Sequence, residues 1–202
     1  MPNFDFEMRF AGAVAGIDEV GRGPLAGPVT AAAAVIDRAR APRSLLTLID
    51  DSKKLSEARR EKAYAAIIES GCVAFAVAEA SVAEIDATNI LQATFLAMRR
   101  ALSGLAERPA GVLVDGNKVP PGLGCPAECI VGGDTRSYSI AAASILAKVT
   151  RDRQMAALAA EFPGYGWESN RGYGSAGHLA ALEQLGPTPH HRMSFAPLNR
   201  LA

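Results

Sequence analysis

Three short apolar runs of this chain end on acids. Ala13-Val14-Ala15-Gly16-Ile17 runs into Asp18-Glu19, Gly111-Val112-Leu113-Val114 stops at Asp115-Gly116-Asn117, and Cys129-Ile130-Val131 closes at Gly132-Gly133-Asp134. Short apolar runs bounded by turn residues read as buried strands. Val29 to Ile36, entered through Pro28, and Val73 to Val77 read the same way. Helical spacing fills the intervals. Ser56 can cap a helix to Glu69 with Ala63, Ile67 and Ile68 on one face; Thr88 or Asn89 opens a second that carries Ile90, Phe95, Leu96 and Leu102. A long helix is expected from about 137 to 160 and a shorter one from about 176 to 185. Strands with helices between their later members predict an α/β fold built on a mixed sheet. Ligand sites of such sheets collect at the C-terminal ends of the strands. Three or four carboxylates from distant parts of the chain are therefore expected to meet at one edge.

Carboxylates brought together repel and raise each other's pKa, and a hard divalent cation relieves that repulsion. Mg2+ and Mn2+ take oxygen ligands of this kind, and His178, His190 and His191 show no spacing that competes. The other reading makes these acids turn formers and helix caps: Asp115 precedes Gly116, and Asp134 precedes the long helix. Gly21-Arg22-Gly23-Pro24-Leu25-Ala26-Gly27 follows the first strand, but its spacing is not GxGxxG, and Pro24 and Pro28 would break the helix a dinucleotide site needs. What remains is a Gly-Arg-Gly turn beside two carboxylates, suited to phosphate or sugar oxygens, or else a tight turn with a surface arginine. Lys+Arg and Asp+Glu both number 21, which argues against a protein that coats nucleic acid by bulk charge. Residues 136–202 carry seven basic against four acidic side chains, so a local basic face is open to the fold. Three cysteines cannot pair completely, and Cys125 and Cys129 lack a second ligand pair at zinc spacing. With no secretory signal and no apolar run near ~20 residues, a soluble cytoplasmic protein is expected.

Six ordered blocks carry a resemblance. Gly16-Ile17-Asp18-Glu19-Val20-Gly21-Arg22-Gly23-Pro24-Leu25-Ala26-Gly27-Pro28-Val29 resembles the N-terminal signature of bacterial type 2 ribonuclease H (ribonuclease HII). Asp51-Ser52-Lys53-Lys54-Leu55, Val114-Asp115-Gly116-Asn117, Gly133-Asp134 with Ser139 to Arg153, Asn170-Arg171-Gly172-Tyr173-Gly174 and His191-Arg192-Met193-Ser194-Phe195 resemble its later blocks, in order, over about residues 12–197. The resemblance implies a single ribonuclease H-like domain over 1–202, its core at about 12–160 and a small helical C-terminal segment at about 161–202.

It also implies that Asp18, Glu19, Asp115 and Asp134 are the catalytic and metal-binding carboxylates, holding Mn2+ or Mg2+. Asp152 is the rival fourth acid, but Ser144, Lys148 and Asp152 share a helix face, which favours a Lys148–Asp152 pair. The implied reaction is two-metal-ion hydrolysis of the RNA strand of RNA/DNA hybrids, and cleavage 5′ of single ribonucleotides embedded in duplex DNA. By the same resemblance, Gly21, Arg22 and Gly23 contact the ribose 2′-hydroxyl and adjacent phosphates, and Tyr173 stacks on the next sugar.

Lys53, Lys54, Lys148 and Arg192, with Arg151 and Arg153, are candidates for the duplex backbone, against solvated lysines and fold-supporting arginines. His190 and His191 read as surface or hydrogen-bonded histidines, and Trp167 and Tyr165 as packing residues. A monomer acting on nucleic acid and not on membranes is expected. Two other classes stay open: another ribonuclease H-like nuclease (a DNA exonuclease or resolvase) and a non-catalytic RNA-binding module.

Overall fold

The strand that carries Asp18 and Glu19 lies at the centre of a five-stranded sheet, with two strands on either side of it. A computed structural model describes residues 1–200. Its strands are β1 (Val14–Val20), β2 (Val29–Ile36), β3 (Val73–Ala80), β4 (Gly111–Asp115) and β5 (Ala127–Ile130). Its helices are α1 (Arg43–Leu46), α2 (Glu57–Glu69), α3 (Val82–Ala87), α4 (Ile90–Ser103), α5 (Tyr138–Glu161), α6 (Trp167–Asn170) and α7 (Ala176–Leu185). β1 pairs antiparallel with β2 and β2 with β3, whereas β1, β4 and β5 run parallel. Ile17 stands opposite Val114, and Asp115 opposite Ile130. The acid-bearing ends of β1 and β4 therefore share one edge with the end of β5, which stops at Ile130, so that Asp134 is carried not by the strand but by the short turn Gly133–Thr135 that follows it. This is the mixed α/β sheet expected from the apolar runs.

Small residues let the layers close. Ala31 and Ala33 of β2 face a core with Ala15, Ile17, Val112 and Val114 against Ala93, Ala97, Met98 and Leu102 of α4. Ala32 and Ala34 face the other way, against Ile145, Leu146 and Val149 of α5 and Ile67 of α2. Gly16 sets the spacing of β1 and α5, because a Cβ there would stand 2.1 Å from the Ser139 carbonyl carbon. A third cluster joins Leu25 and Ala26 to Met155, Tyr165, Trp167, Leu182 and Leu198, so the C-terminal segment packs on the turn that follows β1.

Helix starts follow the expected caps: Ser56 accepts the Arg59 amide, Asn89 the Gln92 amide and Ser137 the Ile140 amide. The structure also departs from the expectations. β1 runs through Val20, paired as far as Thr30, so Asp18 and Glu19 lie inside the strand end and not beyond it. α3 was not expected, although Ser81 and Glu84 form a reciprocal capping box at its start. The expected C-terminal helical segment holds α6, α7 and a final turn at Leu198–Arg200; residues 201–202 lie outside the described residues. Among the described residues no helix is long and apolar enough to cross a membrane.

Candidate active site

β1 alternates its side chains, so Asp18 turns toward α5 and Glu19 toward α4. Asp18 is buried, and its Oδ1 accepts the Glu19 amide at 2.7 Å. Asp115, the last residue of β4, accepts the Gly133 amide through Oδ1 at 2.7 Å, which ties β4 to the turn that bears Asp134. Asp134 is buried, and its Oδ2 lies 3.9 Å from Lys53 Nζ.

The acids feel one another. Burial, then the charges of Glu19 and Asp115, hold the Asp18 carboxyl well above the usual carboxylate range. Burial also raises Glu19, against the pull of Arg22, whose Nη1 donates to Glu19 Oε1 at 3.2 Å. Asp134 is raised by burial and by the charges of Asp115 and Asp51. Burial alone would lower Lys53, yet the fields of Asp18, Asp134, Asp51 and Asp115 raise it. The expected set has thus been brought to one edge and is short of positive charge.

The donor set fits a hard divalent cation: four carboxylates, with no thiol or imidazole among them. Even so, among the described residues no three His, Cys, Asp or Glu side chains are disposed around a single point as ligands to one ion. Their oxygens are turned to the Glu19 and Gly133 amides, to Arg22 and to Lys53. The edge opens on the α4 side into a cleft of about 300 Å3 lined by Glu19, Arg22, Phe95, Met98, Asp115 and Asn117. A larger cavity of about 850 Å3 lies between residues 36–40, 71–74 and 105–109 and is lined by none of the four acids, whereas Glu19 and Asp115 line the smaller cleft.

Arg22 and Gly23 are exposed at the tip of the turn after β1. Tyr173 is half exposed, and its ring reaches within 3.5 Å of where a Gly23 Cβ would stand, so the two segments named from the sequence meet. The Tyr173 carbonyl is bonded to His178 Nδ1 at 2.9 Å, and its amide donates to the Asn170 carbonyl at 2.9 Å.

Several basic candidates stand elsewhere. Arg192 is fully buried and donates to the carbonyls of Gly21, Arg22, Gly27 and Pro28, so it does not reach a duplex. Arg151 is buried in the same way and donates to Ala26, Pro28 and Arg171. Burial pushes Arg192 down to about 9, with help from the Arg151 charge, and burial brings Arg151 to about 10. Lys148 donates to Asp152 at 2.7 Å and is committed there, while Arg60 and Arg171 also approach Asp152. Asp152 is therefore an ion-pair hub, engaged by Lys148, Arg60 and Arg171. Arg153 lies over Tyr64 and pairs with Glu61. Lys54 turns back to Asp51 at 3.8 Å, and Lys53 remains at the acid edge.

Trp167 and Tyr165 are packing residues as expected, stacked at 5.1 Å. His191 is buried and bonded to His178, which accepts from Trp167 Nε1 at 3.0 Å. Two further residues stand by the acids: Asp51, whose charge helps raise Asp134, and Ser144 of α5, which bonds Ser52 Oγ at 2.8 Å and helps to lower Asp18 against its burial; of the two, only Asp51 lies in a block whose acid and lysines pointed to the site.

The model of the family Ribonuclease HII matches residues 15–198. The chain is 59% identical over 198 residues to the Ribonuclease HII of Paramagnetospirillum magneticum, covering 98% of this chain and 97% of that one. It is 61% identical over 198 residues to that of Rhodospirillum rubrum, covering 98% of this chain and 90% of that one. The crystal structure of the ribonuclease H2 from Pyrococcus horikoshii OT3 superposes with a TM-score of 0.79 at 28% identity, over 94% of this chain and 96% of that one. With the acid edge and the Gly-Arg-Gly turn standing where the sequence blocks put them, this chain belongs to the ribonuclease HII family.

Proposed function

We propose that this chain is a ribonuclease H that hydrolyses the RNA strand of RNA/DNA hybrids and cuts on the 5′ side of single ribonucleotides in duplex DNA. The observation that carries the reading is the convergence of Asp18, Glu19, Asp115 and Asp134 at one sheet edge, beside an exposed Gly-Arg-Gly turn. These four carboxylates would hold Mn2+ or Mg2+, turning away from the amides and cations they now face. The divalent ions supply Lewis acidity and charge neutralisation for phosphodiester hydrolysis.

The protein's own groups do the rest. Asp18 and Asp115 stand on rigid strand ends, which fixes where the scissile phosphate must lie. Lys53 Nζ lies beside Asp134 and is free to meet a phosphate oxygen as the acids take up a cation. The backbone of Gly21-Arg22-Gly23 offers donors to the ribose 2′-hydroxyl side of the scissile step, and the Tyr173 ring stacks on the following sugar. Contacts of this kind read the sugar and not the base sequence.

We read the chain as one domain that works as a monomer in the cytoplasm; its three free cysteines, Cys72, Cys125 and Cys129, suit a reducing compartment. Incubation with a DNA duplex containing one ribonucleotide, and with the all-DNA duplex as control, tests the reading. Cleavage of the first alone, on the 5′ side, with Mg2+ or Mn2+ and not with EDTA, is expected. Cleavage of both duplexes would favour a DNA nuclease, and binding without cleavage a non-catalytic module.

A further inference from the structure

The turn from Gly21 to Pro28 is held from beneath by two arginines. Arg192 Nη2 donates to the Gly21 carbonyl at 2.6 Å and to Pro28 at 3.1 Å, Nη1 to Arg22 at 3.0 Å, and Nε to Gly27 at 2.9 Å. Arg151 Nε donates to Pro28 and Nη2 to Ala26, each at 3.1 Å, while its Nη1 bonds the Arg171 carbonyl at 3.0 Å, next to the Tyr173 segment. Both side chains are fully buried, and among the described residues neither has a carboxylate within ion-pair distance. Asp86, near Arg192, is taken up by the amides of Met193 and Ser194. Gly21 has φ +89°, and a Cβ there would lie 2.1 Å from Arg151 Nε, so the turn rests directly on the guanidinium.

Two unpaired buried cations are costly to keep. A neutral residue would hold the core at lower cost unless the direction of those carbonyls mattered. The direction does matter. In a planar trans peptide the carbonyl of one residue and the N–H of the next point opposite ways. With the Gly21 and Arg22 carbonyls drawn inward by Arg192, the N–H groups of Arg22 and Gly23 are turned outward. Neither amide donates to any acceptor among the described residues, and both residues are exposed.

We propose that Arg192 and Arg151 are positioning residues for ribonucleotide recognition: their guanidinium forks fix the inward carbonyls of the turn and so aim the Arg22 and Gly23 amides at the sugar-phosphate. This rests on the function given above. It replaces the phosphate contact expected for Arg192 with an action through the backbone, and Lys cannot fully substitute because its donors are not arranged in a planar fork.

Arg192→Gln and Arg192→Lys test it, with three readouts on each. These are kcat and KM on the duplex with one ribonucleotide, relative affinity for that duplex over the all-DNA duplex by fluorescence anisotropy in EDTA, and Mn2+ affinity by calorimetry. The Gln variant is expected to lose at least tenfold in kcat/KM, mainly through KM, and to lose most of the ribonucleotide preference. Its Mn2+ affinity should stay within twofold of wild type, because Arg192 touches none of the four acids. The Lys variant should recover part of the preference. If the Gln variant does not fold, the Lys variant and Arg151→Lys carry the test, each expected to show reduced preference with intact Mn2+ binding. Wild-type preference in the folded variants, whatever their Tm, would overturn the proposal. So would equal affinity of the wild-type protein for the two duplexes. Absence of wild-type cleavage would instead count against the proposed activity, and the binding preference would still decide the role of the arginines.

Discussion

Asp18 bears two opposed demands. Its carboxyl is buried beside Glu19 and Asp115, which destabilises the charged form, yet the proposed chemistry needs it charged. Asp18→Asn keeps the shape and the Oδ1 that accepts the Glu19 amide, and removes only the charge. Cleavage is expected to fall to background, while Tm in EDTA stays equal to wild type or rises by a few degrees, as at other sites that trade stability for activity. Added Mn2+ should raise the wild-type Tm and leave the variant nearly unmoved. Near-wild-type cleavage in Mg2+ or Mn2+ would remove Asp18 from the site. Tyr173 poses the reverse case, a residue 48% exposed whose backbone is fixed at both its amide and its carbonyl. Deleting a half-exposed ring removes little buried area, so Tyr173→Ala should lower stability by only about 1 kcal/mol. Its activity on a single embedded ribonucleotide should drop much further, and its preference for that junction over a continuous hybrid should narrow. Equal losses on both substrates with a large drop in Tm would return the ring to a packing role.

At the scale of elements, the site depends on how closely α5 lies on β1, and Gly16 sets that distance. Gly16→Ala forces a methyl into the Ser139 backbone, and overpacking against backbone cannot be relieved by a rotamer change. A loss of about 3 kcal/mol is expected, or roughly 10 °C in Tm for a chain of this size, measurable by calorimetry; an unchanged Tm would mean that the two elements slide apart freely. The sequence made much of this legible, because the signals are local. Apolar runs marked all five strands, and Ser56 and Asn89 marked their helix starts. The Lys148–Asp152 pair followed from helical spacing. Arg151 and Arg192 were not legible, because what they bond is remote: Arg151 donates to the Ala26 carbonyl across 125 residues and Arg192 to Gly21 across 171. No periodicity records that a cation on α5 will meet carbonyls rather than solvent. The acid edge lies between these cases, since strand ends foretold the meeting but not that the oxygens would turn to amides, Arg22 and Lys53.

Over the whole molecule, acid acts on two regions with opposite sign. Protonating Asp18 relieves repulsion at the sheet edge, so that group contributes more stability as the pH falls. The C-terminal segment behaves the other way. Burial, and next the charge of His178, push His191 down to about 4 from an unfolded value near 6.5. Its fold requires the neutral ring, for Nδ1 accepts the Thr188 amide at 2.9 Å, which leaves Nε2–H to face His178 Nε2 at 3.0 Å. Above pH ~6.5 neither the folded nor the unfolded ring holds the extra proton, and the contribution is complete. Between ~6.5 and ~4 the unfolded chain takes up a proton that the folded one refuses, so stability falls as the pH falls; below ~4 both are protonated and nothing further is lost. The shift corresponds to about 3 kcal/mol. Global Tm sums the two regions and is a poor probe of either. Trp167, the single tryptophan, is bonded to His178 and stacked on Tyr165, so its emission reports directly on the packing of the C-terminal segment. Its urea midpoint is expected to decline steadily from pH 6.5 to pH 4, and His191→Gln should flatten that slope. A midpoint constant across this range would show that the segment is held by its apolar cluster with Leu25 and Ala26 and owes nothing to the neutral histidine pair, and a slope undiminished in the variant would take that role from His191 and leave it to His178, which burial also lowers.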